Sequence, residues 1–212
     1  KFIFKINFKQ AKALEENTKM KKISDKFPEN IEIAKEMLEM LDNKDVKIEQ
    51  AKDTKTSLYI AVTNKISIAD LKDNYGRIQT IAHECIHSIQ DRRLLMFNFI
   101  FSNINIIYFI IISVLTILKV ISNQNLQIEI LMLFTLIEFS VRSFLEIDAM
   151  TKAKYLAKEY MEKIKLCTEE EKNKLLKEYG DINKIGIPFV IDNLLTTALI
   201  RVLIYCIISI IW

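Results

Sequence analysis

The chain has 212 residues, half of them hydrophobic, with a formal net charge of +3 and only 3 Gly and 2 Pro. So small a basic excess, with no aromatic-and-basic patch and no Gly-rich phosphate loop, argues against a nucleic-acid surface. The scarcity of Gly and Pro favours helices over turn-rich sheets. Three cysteines, Cys85, Cys167 and Cys206, make neither an even framework nor a C-x-x-C, so they are expected to be reduced.

In chain order, Lys1–Lys26 opens with Phe2, Ile3, Phe4, Ile6 and Phe8 interleaved with Lys, a pattern that fits a short strand or the exit of a membrane helix. No Met and no signal pattern open the chain at Lys1, which leaves room for an upstream segment. Asn30–Leu41 places Ile31, Ala34, Met37, Leu38 and Leu41 at helical spacing after Pro28-Glu29, predicting a helix. Asp45–Ala51, Ser57–Val62 and Ile66–Ala69 alternate apolar and polar residues, predicting a small sheet with a tight turn at Thr63-Asn64-Lys65. A further helix is predicted from about Gly76 to Arg93, where Arg92-Arg93 mark a polar boundary.

Long apolar runs follow at Leu94–Ile121, Leu126–Leu145 and Ile187–Trp212, each of a length suited to a hydrocarbon layer of roughly 30 Å. The first two are joined by Ser122-Asn123-Gln124-Asn125, so they must form an antiparallel hairpin whose far ends share one membrane face. Residues on that face are rich in Lys and Arg while the loop has none, which predicts a cytoplasmic side. The expected fold class is therefore an α+β membrane protein, mostly helical. It comprises a cytoplasmic α+β domain over 1–93, a transmembrane hairpin over 94–145, a cytoplasmic helical segment over 146–185 and a C-terminal transmembrane helix over 186–212.

The chemistry concentrates in Ile81-Ala82-His83-Glu84-Cys85-Ile86-His87. This contains H-E-x-x-H, built from the only two histidines of the chain. On a helix, His83 and His87 lie one turn apart on one face and can direct two imidazole nitrogens at one ion about 2.0–2.1 Å away. Glu84 then stands beside the metal without binding it, where it can take a proton from zinc-activated water. Cys85 lies on the opposite side of that helix and reads as a small buried residue.

A catalytic zinc needs three protein ligands and an open position. The hairpin returns the chain to the histidines, and the candidate third ligands are Glu146, Asp148, Glu159 and Glu162. Straight continuous helices, at about 1.5 Å per residue, would bring Glu159 or Glu162 level with His87; a bend near Arg92-Arg93 would restore Glu146. Within the apolar runs, Glu138 and Arg142 stand at i, i+4 and are expected to pair on one helix face. Glu169-Glu170-Glu171 reads as a solvated face.

Ala82-His83-Glu84 through Ser88-Ile89-Gln90, then a membrane hairpin, then Phe144-Leu145-Glu146-Ile147-Asp148-Ala149, resembles the neutral zinc metallopeptidases of small bacterial membrane proteins (YugP-like). Their pattern reads A-H-E-x-G-H-A-x-Q and then E-F-D-A. The layout is more distantly similar to the HtpX and CaaX-protease metallopeptidases. The resemblance implies that His83, His87 and Glu146 bind one Zn2+ per chain, that Glu84 is the general base, and that Asp148 orients a ligand histidine. Ile86 stands where the family has Gly, and Met150 where the HtpX-type pattern carries Asp.

The function expected is a membrane-embedded zinc metallopeptidase hydrolysing peptide bonds near the cytoplasmic face of a bacterial plasma membrane. Its partners would be a peptide or membrane-protein substrate and the lipid bilayer. Ser57–Val62 would hold the substrate backbone by strand addition, and Tyr155 and Tyr160 are the candidate oxyanion donors. The alternatives are a site-2-type intramembrane protease using Asp192, which follows Pro188-Phe189-Val190-Ile191, a non-catalytic membrane scaffold retaining a metal site, and a transporter component.

Overall fold

The computed structural model describes residues 17–51, 54, 56–71 and 74–211, so the element expected around Phe2–Phe8 lies outside the described residues. The chain is mostly helical with one small sheet. Helix α1, Thr18–Ser24, starts at Asn17, whose side-chain oxygen accepts the Met20 amide at 3.3 Å and so satisfies one donor of the first turn. Helix α2, Asn30–Met40, follows Pro28 and buries Ala34, Met37 and Leu38 of the expected stripe together with Ile33, while Ile31 and Leu41 are only half-buried.

Strands β1 (Lys47–Gln50), β2 (Leu58–Ile60) and β3 (Lys65–Ile68) form a sheet in the order β1-β3-β2. β1 runs parallel to β3, and β2 is antiparallel to it with Tyr59 opposite Ile66. The turn before β3 places Asn64 in the left-handed region at φ 50°, a conformation Asn tolerates, and Asn64 Oδ1 accepts the Tyr59 hydroxyl at 2.9 Å. Ile66 and Ile68 point into the core, so alternation in the strand decides which face is buried.

Helix α3, Arg77–Ile89, carries H-E-x-x-H. It ends three to four residues before the predicted boundary because Gln90 is extended (ψ 159°), and Asp91 then caps a new helix by accepting the Arg93 amide at 2.8 Å. That helix is α4, Arg92–Ile117. Two long helices complete the chain, α5 (Gln124–Ile164) and α6 (Glu169–Ile211). Both run through the boundaries expected at 145/146 and 185/186.

One core joins α1, α2, the sheet, α3, the C-terminal half of α5 and the start of α6. The segment expected as a separate cytoplasmic piece thus shares a core with the N-terminal elements. Ala149, Ala153 and Ala157, one turn apart and fully buried, let α5 approach α3 closely. The N-terminal end of α3 is pinned by Arg77, a buried guanidinium that donates to Ser24 Oγ and to the carbonyls of Ser24, Phe27 and Pro28, with Asn30 Oδ1 as a fifth acceptor. Burial lowers the Arg77 pKa, and these neutral acceptors carry the charge instead of a carboxylate.

Among the described residues, two helices, α4 and α6, are long and apolar enough to cross a membrane, with mean hydropathies of 2.2 and 2.4 over their most apolar stretches. Only 22% and 6% of those stretches is buried inside the protein, so their Ile, Leu and Phe side chains face outward. The Leu126–Leu145 run of α5 does not reach the same standard, because Glu129, Glu138 and Arg142 interrupt it.

The expected Glu138–Arg142 pair is not what forms. Glu138 Oε2 accepts Arg201 Nη1 of α6 at 2.7 Å and Asn105 Nδ2 of α4 at 2.6 Å, while Arg142 is exposed. A neighbouring helix brings a buried partner to Glu138, whereas Arg142 on the same helix turns outward. With Glu138 and Arg201 only 13% and 14% exposed, Glu138→Leu strands a buried guanidinium. It is expected to cost about 3 kcal/mol, read as a lower melting midpoint in detergent, and Glu138→Leu with Arg201→Leu is expected to recover most of the loss.

Candidate metal centre

Helix α3 is held in place at both ends before any ligand is considered. Near its C-terminus, Asn43 donates to the Ser88 carbonyl and hydroxyl at 3.1 and 2.9 Å. Along its length, Gln79 donates to Asn183 of α6 at 2.7 Å, and Asn183 in turn donates to the Met150 carbonyl of α5 at 2.9 Å. Ile78, Ile81, Ala82, Cys85 and Ile86 are buried in the core, which leaves His83 and His87 on the face toward α5. Ile86 is accommodated within this packing.

His83 Nε2 and His87 Nε2 converge to 3.0 Å. Glu146 Oε2 lies 3.5 Å from the first and 3.8 Å from the second. A tetrahedral ion with arms of about 2.0–2.1 Å has its ligand atoms roughly 3.3 Å apart. The three donors therefore have the spacing, and the two-imidazole-one-carboxylate chemistry, of a group that can hold a metal ion, and one vertex remains outside the group. Glu159 and Glu162 do not take part: Glu159 is exposed, and Glu162 pairs with Lys172 at 3.0 Å. Asp192 is buried in α6 and is not among the three converging residues. The extended Gln90 supplies the bend that arithmetic required for Glu146.

The electrostatics follow from this crowding. Burial would push the Glu146 carboxyl up, but hydrogen bonds to His83 and His87 outweigh it and hold the group well below the usual carboxylate range. Burial would lower His87, and the same contact with Glu146 outweighs it and raises the imidazole. Glu84 is almost fully enclosed. Burial raises its pKa against the opposing pull of His83, His87 and the Tyr59 amide, which donates to Glu84 Oε2 at 2.7 Å. Burial also pushes up the Cys85 thiol, whose sulfur lies in the core 3.9 Å from the Ala34 carbonyl, so it is no nucleophile.

Asp148 does not reach either histidine directly. Its Oδ2 accepts Gln90 Nε2 at 2.9 Å and its Oδ1 takes Lys152 at 2.7 Å, while Gln90 Oε1 lies 2.7 Å from His87 Nδ1. Gln90 and the Tyr59 amide are the contacts sequence reasoning missed; the position of Gln90 inside the quoted motif was the available signal. Of the two tyrosines considered as oxyanion donors, Tyr160 is buried with its hydroxyl on Glu36, about 21 Å along α5 from Glu146. Tyr155 is 63% exposed on the same helix, about 14 Å away. Neither serves the site.

Scans of protein-family models, of curated proteins and of solved structures found no match to this chain. The donor group predicts a measurable response. A divalent ion at about 100 times its Kd is expected to stabilise the protein by about 2.7 kcal/mol, read as a raised melting midpoint. The rise should vanish in His83→Ala and Glu146→Ala and persist in Glu159→Ala and Asp192→Ala.

Proposed function

We propose that this protein is a membrane-embedded zinc metallopeptidase that cleaves peptide bonds beside the membrane surface, with His83, His87 and Glu146 as zinc ligands and Glu84 as general base. The observation that carries the reading is the convergence of two imidazoles and one carboxylate, with a vertex to spare, next to an enclosed glutamate on the same helix. The resemblance to the neutral zinc metallopeptidases points the same way. Zinc in this group would supply Lewis acidity, polarising a scissile carbonyl and acidifying water.

Glu84 takes the proton from the attacking water and returns it to the leaving amine. Its carboxylate is aimed by the Tyr59 N–H, which points away from β3. β2 is an edge of the sheet, and its outer side lies against the site, so an extended substrate backbone has a strand to pair with within reach of Glu84. His87 precedes α4 by only a short connection, which sets the site close to the plane where the apolar surface begins. The outward-facing apolar surfaces of α4 and α6, and the α5 run between them joined to both by the Asn105–Glu138–Arg201 contacts, suit three spans in a plasma membrane with the Lys-rich face cytoplasmic. Peptides or membrane-protein segments emerging at that face are the natural substrates.

The decisive comparison is Glu84→Gln against the parent, both purified with matched metal content and reconstituted in liposomes. Loss of at least about 100-fold in kcat on a quenched fluorescent peptide, with zinc retained, is the expected result. Full activity in that variant would remove the peptidase reading. An inactive parent with a fourth protein ligand on the metal would favour the non-catalytic scaffold.

A further inference from the structure

Two residues, Gln90 and Asp91, connect α3 to α4, and the first of them reaches across the site. Gln90 is extended, so its side chain leaves the axis of α3 and crosses to α5. Its carboxamide nitrogen donates to the Leu145 carbonyl at 2.9 Å and to Asp148 Oδ2 at 2.9 Å. Both partners are pure acceptors, so the nitrogen must face them and the oxygen must face the other way. That oxygen lies 2.7 Å from His87 Nδ1. The imidazole must therefore carry its proton on Nδ1, which turns the lone pair of Nε2 toward His83 and Glu146.

We propose that Gln90 is the positioning residue of the metal centre: one amide fixes the tautomer of His87 and, through Leu145 and Asp148, sets the register of the helix that carries Glu146. The inference rests on the metal-site reading above. The hydrogen-bonded path from Asp148 to His87 runs through Gln90, and the other oxygen of Asp148 takes Lys152. The order of contacts is Lys152, Asp148, Gln90, His87. Asparagine is a methylene too short to span from the chain at 90 to α5. Glutamate would keep an acceptor for His87 but lose both donors and set a charge against Asp148.

The test measures zinc affinity of the full chain in detergent at one fixed pH, by competition with a chromophoric chelator, for the parent, Gln90→Ala, Gln90→Glu, Asp148→Ala and the Gln90→Ala/Asp148→Ala pair. Gln90→Ala is expected to weaken binding by about 10–100-fold without lowering the melting midpoint of the metal-free protein. Gln90→Glu should fall between the parent and Gln90→Ala. Asp148→Ala should weaken binding in the parent background and add far less once Gln90 is gone.

A second readout uses the fact that the chain has only two histidines. Selective 15N labelling of histidine, read on the metal-free protein at a pH where the imidazole is neutral, should show His87 of the parent and of Asp148→Ala with its proton on Nδ1, and a mixture of tautomers in Gln90→Ala. The proposal is overturned if Gln90→Ala binds zinc within about twofold of the parent, or if Asp148→Ala costs as much in the Gln90→Ala background as alone. It is equally overturned if Gln90→Ala loses affinity only in step with its melting midpoint while His87 keeps its tautomer. A parent that binds no zinc, or binds it undiminished after His83→Ala, removes the metal centre itself and this inference with it; an effect confined to Gln90→Ala leaves the two separable.

Discussion

His83, His87 and Glu146 converge because a helix stops. Were α3 to run on into α4, the ascent of about 1.5 Å per residue would carry the returning chain past His87 and leave Glu146 far above it. The extended backbone at Gln90 re-aims the chain, Asp91 starts the next helix with its own cap, and α5 comes back beside the histidines at Glu146 instead of a residue several turns later. The three donors then share a volume small enough for one ion. The Arg77 network, which ties the start of α3 to α1 and α2, and the buried alanines of α5 both serve that alignment.

Much of this was legible in the chain. The α2 stripe, the three strands and the helix carrying H-E-x-x-H occur within a few residues of their expected bounds, because each has a clean period of apolar residues. The end of α3 was not legible. Nothing in Ile89-Gln90-Asp91 breaks a helix by propensity; the break is made by tertiary contacts of the Gln90 side chain and by the capping aspartate. At 145 and 185 the expected changes of surroundings are not changes of secondary structure. A change from apolar to charged residues alters the surroundings of a helix without interrupting its backbone hydrogen bonds, so α5 and α6 continue across both points.

Among the four carboxylates open on sequence grounds, the choice was one of register, and register is a long-range property. The same holds for Glu138. An i, i+4 arginine is always the visible partner on paper, yet the buried one came from a helix sixty residues away and brought Asn105 with it. Local spacing names what is possible on one helix. Packing of three helices selects.

α5 contains neither Gly nor Pro along its 41 residues, whereas α6 carries Gly180, Gly186 and Pro188 near its middle. A helix without such a weak point behaves as a rod roughly 60 Å long. One half is gripped by Asn105 and Arg201, its centre bears Glu146, and its other half lies in the core shared with α3. A rod cannot tilt at one end alone. Were α5 to cross a bilayer thinner or thicker than its apolar length, the tilt that relieves the mismatch would be delivered undamped to the carboxylate at its midpoint, making bilayer thickness a mechanical input to the geometry of the third donor of the group.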